Sequence, residues 1–303
     1  MDNTFTPPVE LFAEAPPRPF PWINVVLFVL TCITTTIVGT ALMADFTNTL
    51  GESFSGFLGS VARNPSKLIS GLPFSIAIMT ILMAHEMGHY LTCRYYRIDA
   101  SLPYFIPWFT GTMGAFIRIR SRIPDRASLL EVGIAGPIAG FVFAVPAFII
   151  ALLNSGYMVL PEHYFGFGEP LIFKVLAALL HKTPPPGMDL HLHPIGYAAW
   201  FGFFATALNL LPVGQLDGGH VSYSLLGDLH RKISRAIVFV LIPLGIFYWQ
   251  GWLVWTTVLL FLGTRHPMTL DDSLPLRRRH VWLGWIGLAM FVLCFTPMPF
   301  YVS

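Results

Sequence analysis

The sequence predicts an all-α multi-pass membrane protein with about six to seven transmembrane helices and a small membrane-associated β-hairpin element. Of its 303 residues, 54% are apolar and only 11% are charged, whereas soluble domains carry roughly 25% charged residues. The apolar residues also form several long runs, and a helix needs roughly 20 such residues to cross a bilayer. Composition and run length therefore both indicate lipid as the surrounding solvent.

Five runs with at most one acidic or basic residue are long enough for membrane helices. They are residues 22–43, 72–92, 129–153, 195–211 and 281–301. Each is predicted to be helical because a backbone amide inside hydrocarbon has no water to bond with.

A sixth run, residues 236–262, is interrupted by the sequence YWQGW at 248–252 and fits either one tilted helix or a helical hairpin. Lys and Arg gather in cytoplasmic loops, and this rule favours the hairpin. A hairpin leaves only four of the 18 basic residues outside, whereas a single span would place eight there. The four are Arg63, Lys67, Lys174 and Lys182.

The rest of the chain is predicted to form a terminal tail, one membrane domain and a surface hairpin. Residues 1–20 are acidic and proline-rich, unlike a basic secretory signal, and are predicted to form a disordered cytoplasmic tail. Residues 21–303 then form a single membrane domain, with a core at 71–227 and accessory helices at 228–303. Between 99 and 122, Gly, Pro and aromatic residues precede an alternation of Ile and Arg, which predicts a β-hairpin at the cytoplasmic membrane surface.

Charge and cysteine content exclude several classes of protein. The net charge of +2 is small and indicates no nucleic-acid partner. Three widely separated cysteines provide neither a disulfide framework nor a CxxC metal site.

The motif HEMGH at residues 85–89 places polar side chains inside an apolar run. His85 and His89 are four residues apart, so on a helix they share one face and can bind one cation. Glu86 flanks that face, where its carboxylate can accept a proton from a water at the metal. A charge at the bilayer centre costs about 2.5 kcal/mol or more, which disfavours the alternative of an ordinary solvated helix face.

Asp217 is the best candidate for a further ligand, because a catalytic zinc usually has about three protein ligands and one open position. It lies in NLLPVGQLDGGH, residues 209–220, where Pro and Gly interrupt a membrane helix. Irregular backbone at membrane depth is tolerated only against protein or a wet cavity. The alternative is a cytoplasmic turn whose Asp217 merely caps the next helix.

Topology brings the two motifs to the same side of the membrane. His85 lies nine residues before Arg94, and a rise of 1.5 Å per residue places it about 13 Å below the cytoplasmic end of its helix. Asp217 follows a helix that runs toward that side. Both motifs therefore approach the cytoplasmic half of the bilayer.

Other candidates have weaker support. Gly136 and Gly140 form a small-residue face that would let the third helix approach the catalytic helix closely. Cys93 can in principle bind metal but is better explained by helix packing. His220 is near enough to Asp217 in sequence for an outer-shell role.

These motifs resemble the site-2 protease family of intramembrane zinc metalloproteases, especially bacterial and chloroplast members that lack a PDZ domain. The HEMGH helix, AGPIAG at 135–140 and NLLPVGQLDGG occur in that family's order, and RHP at 265–267 extends the resemblance. The resemblance implies one zinc ion per chain and the following functional residues: ligands His85, His89 and Asp217, and catalytic residues Glu86 and Asn209.

One departure from the family pattern lies beside Asn209. Prolines usually follow this asparagine directly, whereas Leu210 and Leu211 stand here and only Pro212 is kept.

The resemblance implies hydrolysis of peptide bonds within or near transmembrane segments of membrane-protein substrates in the cell membrane. A zinc transporter and a catalytically inactive relative that binds membrane proteins are the alternatives. Transporters often have two related halves with broken helices in corresponding places, a repeat that this sequence lacks. Glu86 together with the three predicted ligands disfavours an inactive relative.

Overall fold

A computed structural model describes residues 20–48, 54–159 and 164–302, so the predicted tail lies outside the described residues except for Phe20. About 65% of the structure is helical. The α-helices are α1 Trp22–Phe46, α2 Phe54–Arg63, α3 Leu72–Tyr95, α4 Arg126–Asn154, α5 Leu171–Leu179, α6 Pro194–Asn209, α7 Asp217–Leu226, α8 Leu229–Phe247, α9 Gly251–Leu262 and α10 Arg278–Cys294.

Three of the described segments are long and apolar enough to cross a membrane. They are α1, the continuous unit Pro65–Tyr95 formed by a 3-10 helix and α3, and α4. Large apolar side chains face outward, such as Phe247 at 78% and Phe261 at 89% exposure, as lipid contact requires. The protein is therefore a helical membrane protein, and the total of six to seven spans stays a prediction.

The predicted hairpin between 99 and 122 is confirmed. Strands β1 Tyr104–Trp108 and β2 Gly111–Phe116 pair antiparallel, with a register shift between Phe105 and Pro107. The alternating Ile–Arg segment beyond β2 is not a regular strand. Its backbone still pairs with the chain ahead of β1, because Arg118 O accepts from Ser101 N–H and Arg120 N–H donates to Asp99 O.

Two further small sheets were not predicted. In one, β3 Gly156–Met158 pairs with β5 Asp189–His191, and in the other β4 Phe165–Phe167 pairs with β6 Phe300–Val302. Strand β3 directly follows α4, and β5 directly precedes α6. The fold is therefore mainly helical with three small antiparallel sheets.

The predicted break in the run 236–262 is present, and the two helices on either side of it pack against each other. The helix α8 ends at Phe247, and α9 begins at Gly251 after a three-residue turn. Arg231 near the start of α8 and Arg265 just after α9 line one cavity. The chain therefore returns to the side from which α8 began.

The central helix is α4, which packs against α3, α6, α7 and α10. Its Glu131, the one acidic residue in the apolar run 129–153, has three partners. Arg279 lies 2.9 Å and His280 Nε2 3.0 Å from Oε1, and the Tyr96 hydroxyl donates to Oε2 at 2.5 Å. Burial and this hydrogen bond raise the pKa of Tyr96. The carboxylate thus joins the C-terminal end of α3, which is the HEMGH helix, and the start of α10 to α4.

Candidate metal and catalytic site

Three ligand atoms from α3 and α7 converge in the interior. His85 Nε2 and His89 Nε2 are 3.2 Å apart, and each lies 3.3 Å from Asp217 Oδ2. Tetrahedral zinc with nitrogen and oxygen ligands at about 2.0–2.1 Å would place these atoms about 3.3–3.4 Å from one another. The three atoms therefore match one face of a zinc coordination tetrahedron, and the fourth corner is left for a water or a substrate.

Two further observations fit a metal ion between these three ligand atoms. Asp217 Oδ2 is buried and has no hydrogen-bond partner among the described residues, an arrangement that costs free energy unless a cation compensates it. His89 Nδ1 lies 2.8 Å from the carbonyl oxygen of Val132. A carbonyl only accepts, so Nδ1 carries the hydrogen and the lone pair of Nε2 faces the cluster.

The turn between α6 and α7 brings Asp217 to the histidines. The helix α6 ends at Asn209, and Asp217 is the first residue of α7, which confirms the predicted helix interruption. A Cβ at Gly218 would lie 2.0 Å from the carbonyl oxygen of Leu210. Only glycine allows this close backbone approach, and the approach fixes where the Asp217 carboxylate points.

Glu86 and Asn209 lie beside the cluster. Glu86 is 5% exposed, and the backbone of Ile117, one residue beyond β2, lies near its carboxylate. Asn209 Nδ2 lies 3.2 Å from His85 Nε2. The structure thus brings together all five residues singled out from the sequence.

The small residues on α4 have a sharper role than helix packing. A Cβ at Gly136 would lie 2.1 Å from His89 Nε2, and one at Gly140 would lie 3.2 Å from the Cβ and Nδ1 of His85. The predicted close approach of α4 to α3 is therefore present, and it makes room for the two imidazoles themselves.

A second cluster, not predicted from the sequence, joins α7 to the segment that follows α9. His220 Nδ1 lies 2.6 Å from His266 Nε2, and the His266 ring stacks on Tyr223 at 4.6 Å. The Tyr223 hydroxyl in turn donates to Asp272 at 2.6 Å. Burial lowers the pKa of His266. The RHP sequence at 265–267 was the available signal.

Cys93 behaves as a packing residue. It is fully buried among Ile98, Ala100 and Val132. Among the described residues it does not belong to the group of ligand atoms at the site.

The sequence of this chain was compared with those of known protein families. Residues 73–248, more than half of the chain, match the profile of peptidase family M50. The chain belongs to peptidase family M50. This confirms the resemblance to site-2 proteases. No solved structure is significantly similar to this M50 chain.

Several curated relatives are plant proteins. "Probable zinc metalloprotease EGY2, chloroplastic" of Arabidopsis thaliana is 28% identical over 82% of this chain and 47% of its own length. "Probable zinc metalloprotease EGY1, chloroplastic" of the same plant is 29% identical over 76% and 43%. The Oryza sativa subsp. indica EGY2 is 31% identical over 80% and 45%. The M50 chain thus spans less than half the length of these relatives.

Proposed function

We propose that this M50 chain is an intramembrane zinc metalloprotease that hydrolyses peptide bonds within or near the transmembrane segments of membrane proteins. The observation that carries the proposal is the triangle of His85, His89 and Asp217, with Glu86 beside it, buried among apolar helices. The names of the plant relatives, probable zinc metalloproteases, support the same activity.

The proposed chemistry assigns a role to each side chain. Zinc held by His85, His89 and Asp217 would polarise the scissile carbonyl and lower the pKa of a water to about 7. Glu86 takes a proton from the attacking water and returns it to the leaving amine. Asn209 donates a hydrogen bond from Nδ2 to the oxygen on which negative charge develops.

A substrate helix must unwind before attack, because its carbonyls are held in hydrogen bonds between residues i and i+4. The hairpin of β1 and β2 offers an edge for the unwound segment, since β2 ends at Phe116 and the next residue lies beside Glu86. Addition of a strand to an exposed edge is a common way to bind an extended peptide. The substrate therefore pairs with the hairpin and presents a carbonyl to the site.

The proposed location is the cell membrane, with the site in the cytoplasmic half of the bilayer. Basic residues at the end of α3 and at the starts of α4, α8 and α10 support this orientation, since positive charge accumulates on the cytoplasmic side. In this orientation the partners are the bilayer and a membrane-protein substrate. Residues 21–303 act as one protease domain.

The decisive experiment compares wild type with Glu86→Gln in detergent and in liposomes. Both proteins are expected to retain about one zinc per chain, because Glu86 is not a ligand. Wild type is expected to cut a single-span membrane protein, and the variant to cut it about 10²-fold more slowly or not at all. Glu169→Gln is the control, because Glu169 is exposed near β4.

Other results of this experiment would identify one of the two alternative functions, a zinc transporter or an inactive relative. Zinc flux into proteoliposomes that survives Glu86→Gln, without cleavage by wild type, would identify a transporter. Stable capture of membrane proteins with neither flux nor cleavage would identify an inactive relative.

A further inference from the structure

A cavity of about 590 Å³ lies between α7, the start of α8 and the segment that follows α9. We name it the basic pocket. Two carboxylates, Asp228 and Asp272, also line it, so its side chains carry a net charge of +3 with neutral histidines. Its basic side chains are Arg126, Arg231, Lys232, Arg235 and Arg265.

The two carboxylates offset the five cations only in part. Asp272 accepts hydrogen bonds from the hydroxyls of Tyr223 at 2.6 Å and Thr269 at 2.5 Å. Within the described parts of the chain, none of the five basic side chains lies within 4 Å of a carboxylate oxygen. Positive charge therefore exceeds negative charge in this concave site, and none of the described basic side chains there is held in a direct ion pair.

Two buried nitrogens at the pocket lack partners. His230 is only 1% exposed; its Nδ1 lies 2.7 Å from the Ser222 hydroxyl, whereas Nε2 has no partner among the described residues. The same is true of the buried Nε of Arg126. Both residues line the basic pocket. Buried polar groups are normally satisfied, so these two nitrogens indicate a binding partner that the chain does not itself supply.

The helix geometry favours a negative partner. The helix α8 begins at Leu229 beside the pocket, and its N-cap residue Asp228 makes no side-chain hydrogen bond to the first turn. The positive end of the helix dipole at this position attracts anions.

We propose that the basic pocket binds a phosphate-bearing anion, supplied either as free phosphate or as the headgroup of an anionic phospholipid. A phosphate offers several acceptor oxygens to arginine forks, which bind such groups in bidentate fashion. The volume lies within the usual range for small-molecule sites, roughly 300–1,000 Å³. The site is distinct from the His85, His89 and Asp217 cluster and does not depend on the proposed protease activity.

The test uses the full chain, purified in detergent and stripped of lipid. Titration calorimetry with inorganic phosphate measures the free source, and native mass spectrometry with phosphatidic acid against phosphatidylcholine measures the lipid source. Binding of either phosphate probe that weakens as salt is raised supports the pocket. Arg126→Gln is expected to weaken that binding roughly tenfold or more, because a charge-assisted hydrogen bond is lost.

Matched variants keep the test decisive. Arg278→Gln removes an exposed cation outside the pocket and is expected to leave binding unchanged. If Arg126→Gln fails to fold, the double variant Arg231→Gln with Arg235→Gln replaces it, since both side chains are exposed at the pocket. Absence of binding to both probes, or an equal loss in Arg278→Gln, would overturn the proposal.

Discussion

Gly136 of α4 lies directly against the Nε2 edge of His89 on α3. A methyl group there has to displace the imidazole, so Gly136→Ala is expected to weaken zinc affinity by about 10–100-fold, the size of effect seen when ligand orientation is disturbed. Proteolysis should fall with zinc content. Zinc per chain, measured by atomic absorption after dialysis against a chelator, checks the prediction.

Gly156→Ala is the matched control for that change. No atom lies within 4 Å of a Cβ built at Gly156, so the added methyl should be tolerated. Full zinc retention by Gly136→Ala would mean that α4 yields and that the contact with His89 does not position the ligand.

Asn209→Ala is expected to lower the cleavage rate by about 10²–10³-fold while zinc stays bound. The reason is that Nδ2, 3.2 Å from His85 Nε2, is lost as a donor to the developing oxyanion. Rate measurements at saturating substrate, together with zinc content, separate this role from metal binding. Asn154→Ala, which removes an exposed side chain at the end of α4, should change neither quantity.

Phe116→Pro tests the hairpin edge. Proline removes a backbone donor from β2, so an added substrate strand should bind less well and the cleavage of a membrane substrate should fall. Zinc content should not change, since Phe116 contributes no ligand. Phe109→Ala at the exposed hairpin tip is the comparison, and equal cleavage by both variants would dismiss strand addition.

Glu131→Gln is expected to destabilise the fold without removing zinc. The change weakens contacts to Tyr96, Arg279 and the buried His280. Arg279 is 60% exposed, so most of the loss, about 1–3 kcal/mol, comes from the half-buried Tyr96 and the buried His280. Chemical unfolding in mild detergent measures this loss in the free energy of unfolding. A variant as stable as Glu169→Gln would show that Glu131 does not tie α10 to α4.

Local sequence pattern predicted the parts of the site that depend on local geometry. The spacing of His85 and His89 fixed their common face, and the Pro and Gly residues near Asp217 marked the helix break. The tryptophan-rich interruption at 248–252 marked the turn between α8 and α9. In each case the decisive interaction is local, so a short stretch of chain carries the signal.

Contacts between segments far apart in the chain could not be predicted from local sequence pattern. The strands β4 and β6 are three residues each, and they meet across more than a hundred residues of chain. The contact of His266 with His220 likewise depends on how the segment after α9 folds back. Asn209 was singled out by family resemblance alone, because its approach to His85 arises from the packing of α6 on α3.

The short α9 has a consequence for the surrounding lipid. Its 12 residues rise about 18 Å, well short of a hydrocarbon core about 30 Å thick. The turn before it exposes Tyr248, a residue type that prefers the headgroup boundary. In the predicted topology, where α9 crosses the membrane, mismatch of this kind would thin the adjacent leaflets, so we expect a locally compressed bilayer in which water reaches deeper along the flank of the protein.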